Sequence, residues 1–280
     1  QAQTNYKNTK TCYTKEQLEA IASRYNEATP LAKIPTNTSK AVLLRNLKHR
    51  LSASEDKWIN MDFMKTINTE LRNELIEQFR PTKPKSWYHN DRTWLNTLDI
   101  SNVMKQYENK YRTFKFMGVH PIDFTYKYDG VNCISKEICG FNLNKFIRSG
   151  YKQCGFILNL DKHYEPGSHW VSVYCGMHPS LPNFGCYFID SAASNAPSEV
   201  LEFVKKMSEH VHSYYPPKIS KKFETLQNSK RFQFKNTECG MFSMFFITEF
   251  LRRKPFKEII RTRVDDDKVH KFRDVFYRPM

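Results

Sequence analysis

An α+β fold is predicted for this chain: a mainly helical N-terminal arm, then a core in which helices pack around a sheet. Three features carry that prediction. Up to residue 79 the apolar residues recur at helical spacing; beyond residue 150, short runs of strand length cluster together; and residues 240–251 are apolar nearly all round, which marks a buried helix.

Taken in order, residues 1–12 are polar and are expected to fray. Thr14 opens a first helix, with Gln17 completing a capping box and Leu18, Ile21, Ala22 and Tyr25 on one face. Residues 28–38, with two prolines, form a loop before a second helix at Ser39, whose inner side carries Leu43, Leu44, Leu47 and Leu51. A third helical run over 58–79 uses Ile59, Phe63, Ile67, Leu71 and Leu75, and stops at Arg80-Pro81-Thr82-Lys83-Pro84. That linker sets the expected boundary, with an arm over 1–83 and a core over 84–280. A helix over 100–111 precedes the aromatic segment Phe114-Lys115-Phe116 and a turn at Gly118-Val119-His120-Pro121. Strands are expected over 155–160, 169–174, 186–189, 223–227 and 232–234, with a helix over 199–212 capped by Ser198.

Composition narrows the function. No stretch approaches the roughly 20 apolar residues a bilayer requires, and no charged-then-apolar leader opens the sequence, so membrane insertion is not expected. Lys and Arg number 44 against 29 Asp and Glu, a formal net charge of +15. That excess fits either attraction to polyanions, DNA included, or a lysine-rich solubilising surface. The seven cysteines are scattered and none has zinc-finger companions, so no metal is implied; a reducing compartment and mostly buried thiols are expected.

Cys239 stands between a polar loop and the apolar helix. A thiol there meets the positive end of the helix dipole, which favours thiolate, and the unpaired N–H groups of a first turn can face an oxyanion. Gly240 would leave room for a substrate backbone to approach. A cysteine nucleophile needs a base, and the base needs an orienting acceptor. His169 opens one strand and Asp190 closes the next; if the two strands pair as a hairpin, both lie at one sheet edge. Gln233 could add an amide donor to the oxyanion site. Singly, each has an ordinary reading: a helix-start cysteine, a surface histidine, a turn aspartate, a solvated glutamine. Their joint occurrence in this order points to catalysis.

The order His169-Trp170, Asp190, Gln233-x5-Cys239-Gly240 resembles the adenovirus protease and SUMO-specific protease superfamily of cysteine peptidases over about residues 150–255. Within it, GSHWVSVY, YFIDSAASNAP, TECGMFSMFFI and VHKFRDVFYRP are similar to the polyprotein-processing proteases of nucleocytoplasmic large DNA viruses, of the African swine fever virus type; CYTKEQLEAIASRYN and WLNTLDISNVMKQYENKY resemble them less specifically. The resemblance implies a core with papain-like chemistry, in which a central mixed sheet is packed by helices and a buried helix carries the nucleophile. It implies Cys239 as nucleophile, His169 as base, Asp190 (Asn in some members) as orienting group and Gln233 as oxyanion donor. Trp170 would cover the Cys–His pair in a narrow channel suited to Gly-Gly-type sites, and Asn159 would lie near it. No cofactor is implied. The expected role is maturation of viral structural polyproteins, in the host cytoplasm or viral factory and in the virion. Two alternatives stand: an isopeptidase acting on ubiquitin-like conjugates, and a DNA-binding virion protein on an inactive protease fold. The last rests on the net charge and on Arg252-Arg253-Lys254, and the intact Cys–His–Asp–Gln set weighs against it.

Overall fold

The computed structural model describes residues 11–279, so most of the stretch expected to fray lies outside the described residues. The chain divides after Pro81 into two compact units. The first contains α1 (Lys15–Ala28), α2 (Lys40–Arg50) and α3 (Thr69–Glu77). Thr14 Oγ1 accepts from the Gln17 N–H at 3.2 Å while Gln17 Oε1 accepts from the Thr14 N–H at 2.9 Å, the reciprocal capping its spacing predicts. Ser39 caps α2. The apolar faces of α1 and α2 meet a core that includes Trp58, which stacks on Tyr13 at 5.9 Å and donates its indole N–H to the Ser52 carbonyl.

Residues 58–79, expected as one helix, are instead two 3-10 turns, Glu55–Asn60 and Asp62–Met64, followed by α3. The Asn68 side chain accepts from the Leu71 N–H at 2.7 Å, and a helix starts where a first-turn donor finds such a partner. The tighter turns still bury Trp58, Ile59 and Met64.

In the second unit follow α4 (Thr97–Lys110), β1 (Phe114–Pro121), α5 (Lys136–Cys139), α6 (Leu143–Arg148), β2 (Gln153–Asn159), β3 (Trp170–Gly176) and β4 (Gly185–Ile189). After them come α7 (Ser198–Tyr214), α8 (Pro217–Ser220), β5 (Glu224–Gln227), α9 (Cys239–Leu251), α10 (Phe256–Ile259), α11 (Asp266–His270) and α12 (Arg273–Phe276). The sheet runs β1-β2-β3-β4-β5; β3 is antiparallel to both β2 and β4, while β1 and β5 lie parallel to their neighbours. The sheet is therefore mixed, as expected. Strand β1 reads in sequence as an aromatic segment and a turn, because Gly118, at φ +101°, breaks the register between Phe116 and Val119 and hides the alternation. Residues 232–234 are a loop rather than a strand: the N–H groups of Phe232 and Gln233 both donate to the Ser191 carbonyl, at 2.8 and 3.0 Å.

The alternation along β3 assigns its two faces. Val171, Val173 and Cys175 join Val200, Phe203, Met207 and Val211 of α7 in one core. Tyr174, of opposite parity, stacks on Phe250 of α9 at 4.2 Å. Helices thus cover both faces of the sheet, β3 is buried throughout, and so is every residue of α9. This is why 240–251 lacks a polar stripe. Cys154, Cys175 and Cys186 stand abreast across β2, β3 and β4, all buried and unpaired. Cys133 and Cys139, in contrast to the expectation of reduced thiols, form a disulfide. Among the described residues no helix is long and apolar enough to cross a membrane.

The end of the β3–β4 hairpin is packed without slack. A Cβ on Gly176 would fall 1.9 Å from the Asn183 carbonyl oxygen. Asn183 cannot retreat, because its side chain donates to the Lys254 carbonyl at 2.7 Å and accepts from the Phe256 N–H at 2.8 Å. Gly176→Ala is therefore expected to destabilise the second unit by about 1–3 kcal/mol, read as a lower unfolding midpoint in a thermal or urea melt. An unchanged midpoint would show that this end of the hairpin can yield.

Candidate active site

Antiparallel pairing of β3 with β4 brings the residue before β3 and the residue after β4 to the same sheet edge. There His169 Nε2 meets Asp190 Oδ1 at 2.6 Å. The turn after β4 is shaped to hold that carboxylate. Its oxygens accept from the Ala192 N–H at 2.8 Å and the Ser194 N–H at 3.0 Å, with Ala193 in the left-handed region at φ +65°. Asn228 fixes the Asp190 backbone from both sides, accepting from its N–H at 3.0 Å and donating to its carbonyl at 2.7 Å. Asp190 is fully buried. Burial works against its charge, but the bonds from His169 and the two backbone amides prevail and hold its carboxyl below the ordinary range.

Cys239 is the first residue of α9 and is 1% exposed. Its sulfur lies close enough to His169 to act on the titration of the imidazole. With Nε2 engaged by Asp190, Nδ1 is the nitrogen left to serve the sulfur. Burial would depress the imidazole; the bonds to Asp190 and Cys239, and the charges on both, outweigh it and raise His169 from 6.5 to about 9. A proton is thus stored beside the sulfur across the neutral range, held from behind by a buried anion. The first-turn N–H groups of α9 have no partners within the helix and can serve a developing oxyanion.

Gln233 sits on the loop leading to α9. Its Oε1 accepts from the Ser191 hydroxyl at 2.6 Å and its Nε2 donates to the Lys235 carbonyl at 2.6 Å, leaving one amide proton for a further acceptor. Trp170 is buried and donates its indole N–H to the Leu95 carbonyl at 2.9 Å. Leu95 and Trp170 also occupy the space beside Gly240: a Cβ there would lie 3.2 Å from Leu95 Cβ and 3.3 Å from Trp170 Cδ1. The glycine is needed for this close packing, and the room expected for substrate at that point is filled. Asn159 pairs with Trp170 across β2–β3, and its Oδ1 accepts from the Asp161 and Ser168 N–H groups at 3.0 and 3.2 Å, fixing the loop between. It lines a groove of about 480 Å³ together with Trp94, Leu95, Val119, Gly167 and Trp170. Cys239 and His169 are not part of the groove lining; Leu95 and Trp170, which border both the groove and Gly240, join the two places.

Leu95 and Asn228 were not singled out in sequence; only their distant partners give them a role. The basic cluster at 252–254 is largely consumed locally, since Arg252 and Lys254 both pair with the buried Glu249. Among the described residues no group of three or more His, Cys, Asp or Glu side chains is arranged to hold a metal.

Comparison with known proteins places this arrangement. Residues 156–279 match the family described as Ulp1 protease family, C-terminal catalytic domain. The chain is 26% identical to a protein of Acanthamoeba polyphaga mimivirus described as a thiol protease, over 97% of this chain and 90% of that protein. It is also 26% identical to a cysteine protease of African swine fever virus, over 75% of each. The crystal structure of an African swine fever virus protease shares the fold, with a TM-score of 0.63 at 18% identity over 98% of this chain and 93% of that one.

The His169–Asp190 pair has a definite pH signature. A histidine raised in the folded state contributes stability that is fully present below its unfolded value, near 6.5, and is lost as pH rises through about 9. Asp190→Asn removes the anion and should move the imidazole midpoint downward, as followed by NMR. It should also flatten the fall in melting temperature that the wild type undergoes over that window. An unmoved midpoint would mean Asp190 does not govern the base.

Proposed function

The chain is a cysteine peptidase of the Ulp1/SUMO-protease superfamily, and from that premise we propose that it is a viral endopeptidase that cleaves structural polyprotein precursors, after Gly-Gly-type sequences, during virion maturation. The series Cys239–His169–Asp190, in which the sulfur acts on the imidazole and the carboxylate holds it, carries the chemistry. In this reading the Cys239 thiolate adds to the scissile carbonyl carbon, forming a C–S bond. The oxyanion rests on the Cys239 N–H and the free amide proton of Gln233. Collapse breaks the C–N bond as His169 gives its proton to the departing amine. Water then adds to the thioester while His169 takes up a proton; the C–S bond breaks, and the carboxylate leaves.

The preference for glycine is supported by enclosure. A nucleophile residue that is 1% exposed, with Trp170 also buried, favours a substrate main chain with no side chains at the point of approach. The matches to proteases of two viruses support a viral setting; action in the host cytoplasm or viral factory and in the virion is part of the proposal. Residues 1–83 would act as an arm that presents substrate or places the enzyme. A second reading, an isopeptidase on ubiquitin-like conjugates, is favoured by relatives described as a SUMO-1 cysteine protease. A DNA-binding role draws support from the net charge of +15 and loses it at Arg252 and Lys254, which are already paired.

Purified protein incubated with a Gly-Gly-x capsid precursor and, separately, with a SUMO or ubiquitin conjugate should cut the first in preference. Cys239→Ser and His169→Ala should each lose at least about 1000-fold in kcat/KM, and a thiol alkylating agent should label Cys239 ahead of the other thiols in a His169-dependent manner. Cleavage of the conjugate alone would favour the second reading. Salt-dependent DNA binding with full biological function in Cys239→Ala would favour the third.

A further inference from the structure

The residue before the nucleophile is a fully buried glutamate, Glu238, and nothing in the chemistry above uses it. Its carboxylate is held from the C-terminal segment. Arg273 donates through Nε and Nη2 to Oε2, both at 3.2 Å, and His270 Nδ1 meets Oε1 at 3.0 Å. The other imidazole nitrogen of His270 meets Asp91 Oδ2 at 3.0 Å. Arg273 also donates to the Thr93 carbonyl at 2.6 Å, and its guanidinium lies 4.4 Å over the Trp87 ring. Thr93 is two residues before Leu95, which packs beside Gly240 and anchors Trp170. At the other end of the same loop, buried Asp266 accepts from the N–H groups of Phe234 and Lys235, at 2.8 and 3.2 Å, directly after Gln233.

We propose that Asp266, His270 and Arg273 are positioning residues for the oxyanion site: they clamp the 233–239 loop at both ends and so fix the Cys239 N–H and the Gln233 amide, with Arg273 setting the loop and the Trp170 wall together. The proposal rests on the peptidase reading. Its physical basis is that the 238–239 peptide contributes the Cys239 N–H, and its plane cannot turn while the Glu238 side chain is held by the Arg273 guanidinium and the His270 ring.

The test separates orientation of the oxyanion site from creation of the nucleophile. Arg273→Lys cannot serve Glu238 and the Thr93 carbonyl in the same planar geometry. In this variant kcat for a Gly-Gly-x peptide should fall about 10- to 100-fold, with KM changed by less than about 3-fold. Affinity for a peptide ending in a glycine aldehyde, whose thiol adduct carries the tetrahedral oxygen, should fall in step with kcat. Alkylation of Cys239 by iodoacetamide, which needs no oxyanion donor, should stay within about 3-fold of wild type. His270→Gln, at a more open edge, should give the same pattern at smaller size and carries the test if Arg273→Lys does not fold. The proposal is overturned if a folded variant keeps wild-type kcat, or if alkylation drops as far as turnover. Wild-type protein that neither cleaves nor labels at Cys239 would instead remove the peptidase reading.

Discussion

Helix α9 has no solvent face, and this constrains everything at the catalytic edge. A helix buried all round is held by contacts on every side, so its axis and its starting point are fixed by the sheet it lies on. The stacking of Phe250 on Tyr174 sets one end of α9 against β3, and the packing of Gly240 against Trp170 sets the other. Because His169 is the residue before that same strand, the sulfur and the imidazole take their separation from one helix–strand contact. The Asp190 carboxylate follows the next strand in the meander, which pairs antiparallel with β3.

Much of this was legible in the sequence, and for identifiable reasons. His169 and Asp190 flank strands whose alternation is plain, and a hairpin is the simplest way to pair them. Cys239 could be placed because an apolar run without a polar stripe admits few readings. The sequence was less informative wherever a role depends on a distant partner. Gly240 looked like an opening, since nothing nearby in the chain says that Leu95 fills the space. Gly118 concealed β1 by breaking its period. Asn228 and Arg273 look like ordinary loop and surface residues until their carbonyl and carboxylate partners, far away in the chain, are known. The likeness of VHKFRDVFYRP to relatives was visible, but what the segment does there was not.

Two buried carboxylates flank the site and are stabilised differently. Asp190 is satisfied by backbone amides and one imidazole, a set that leaves the second imidazole nitrogen free of the carboxylate. Glu238 is satisfied by a guanidinium and a second imidazole, both committed to other partners as well. The first arrangement suits a group that must respond during turnover. The second suits one that must not move. A buried ion pair adds little net stability over apolar packing, yet it specifies geometry, and the cost of leaving either partner alone makes the arrangement all-or-none.

The row of thiols across the middle of the sheet has a practical side. Cys154, Cys175 and Cys186 are sealed between α7 and the strands, and Cys12 is the one unpaired cysteine with partial exposure among the described residues. A count of sulfhydryls open to a coloured disulfide reagent would therefore register whether the central sheet is intact. Beyond any reaction at Cys12 and Cys239, three further equivalents would emerge together when the strands part, giving this chain a built-in gauge of its own unfolding.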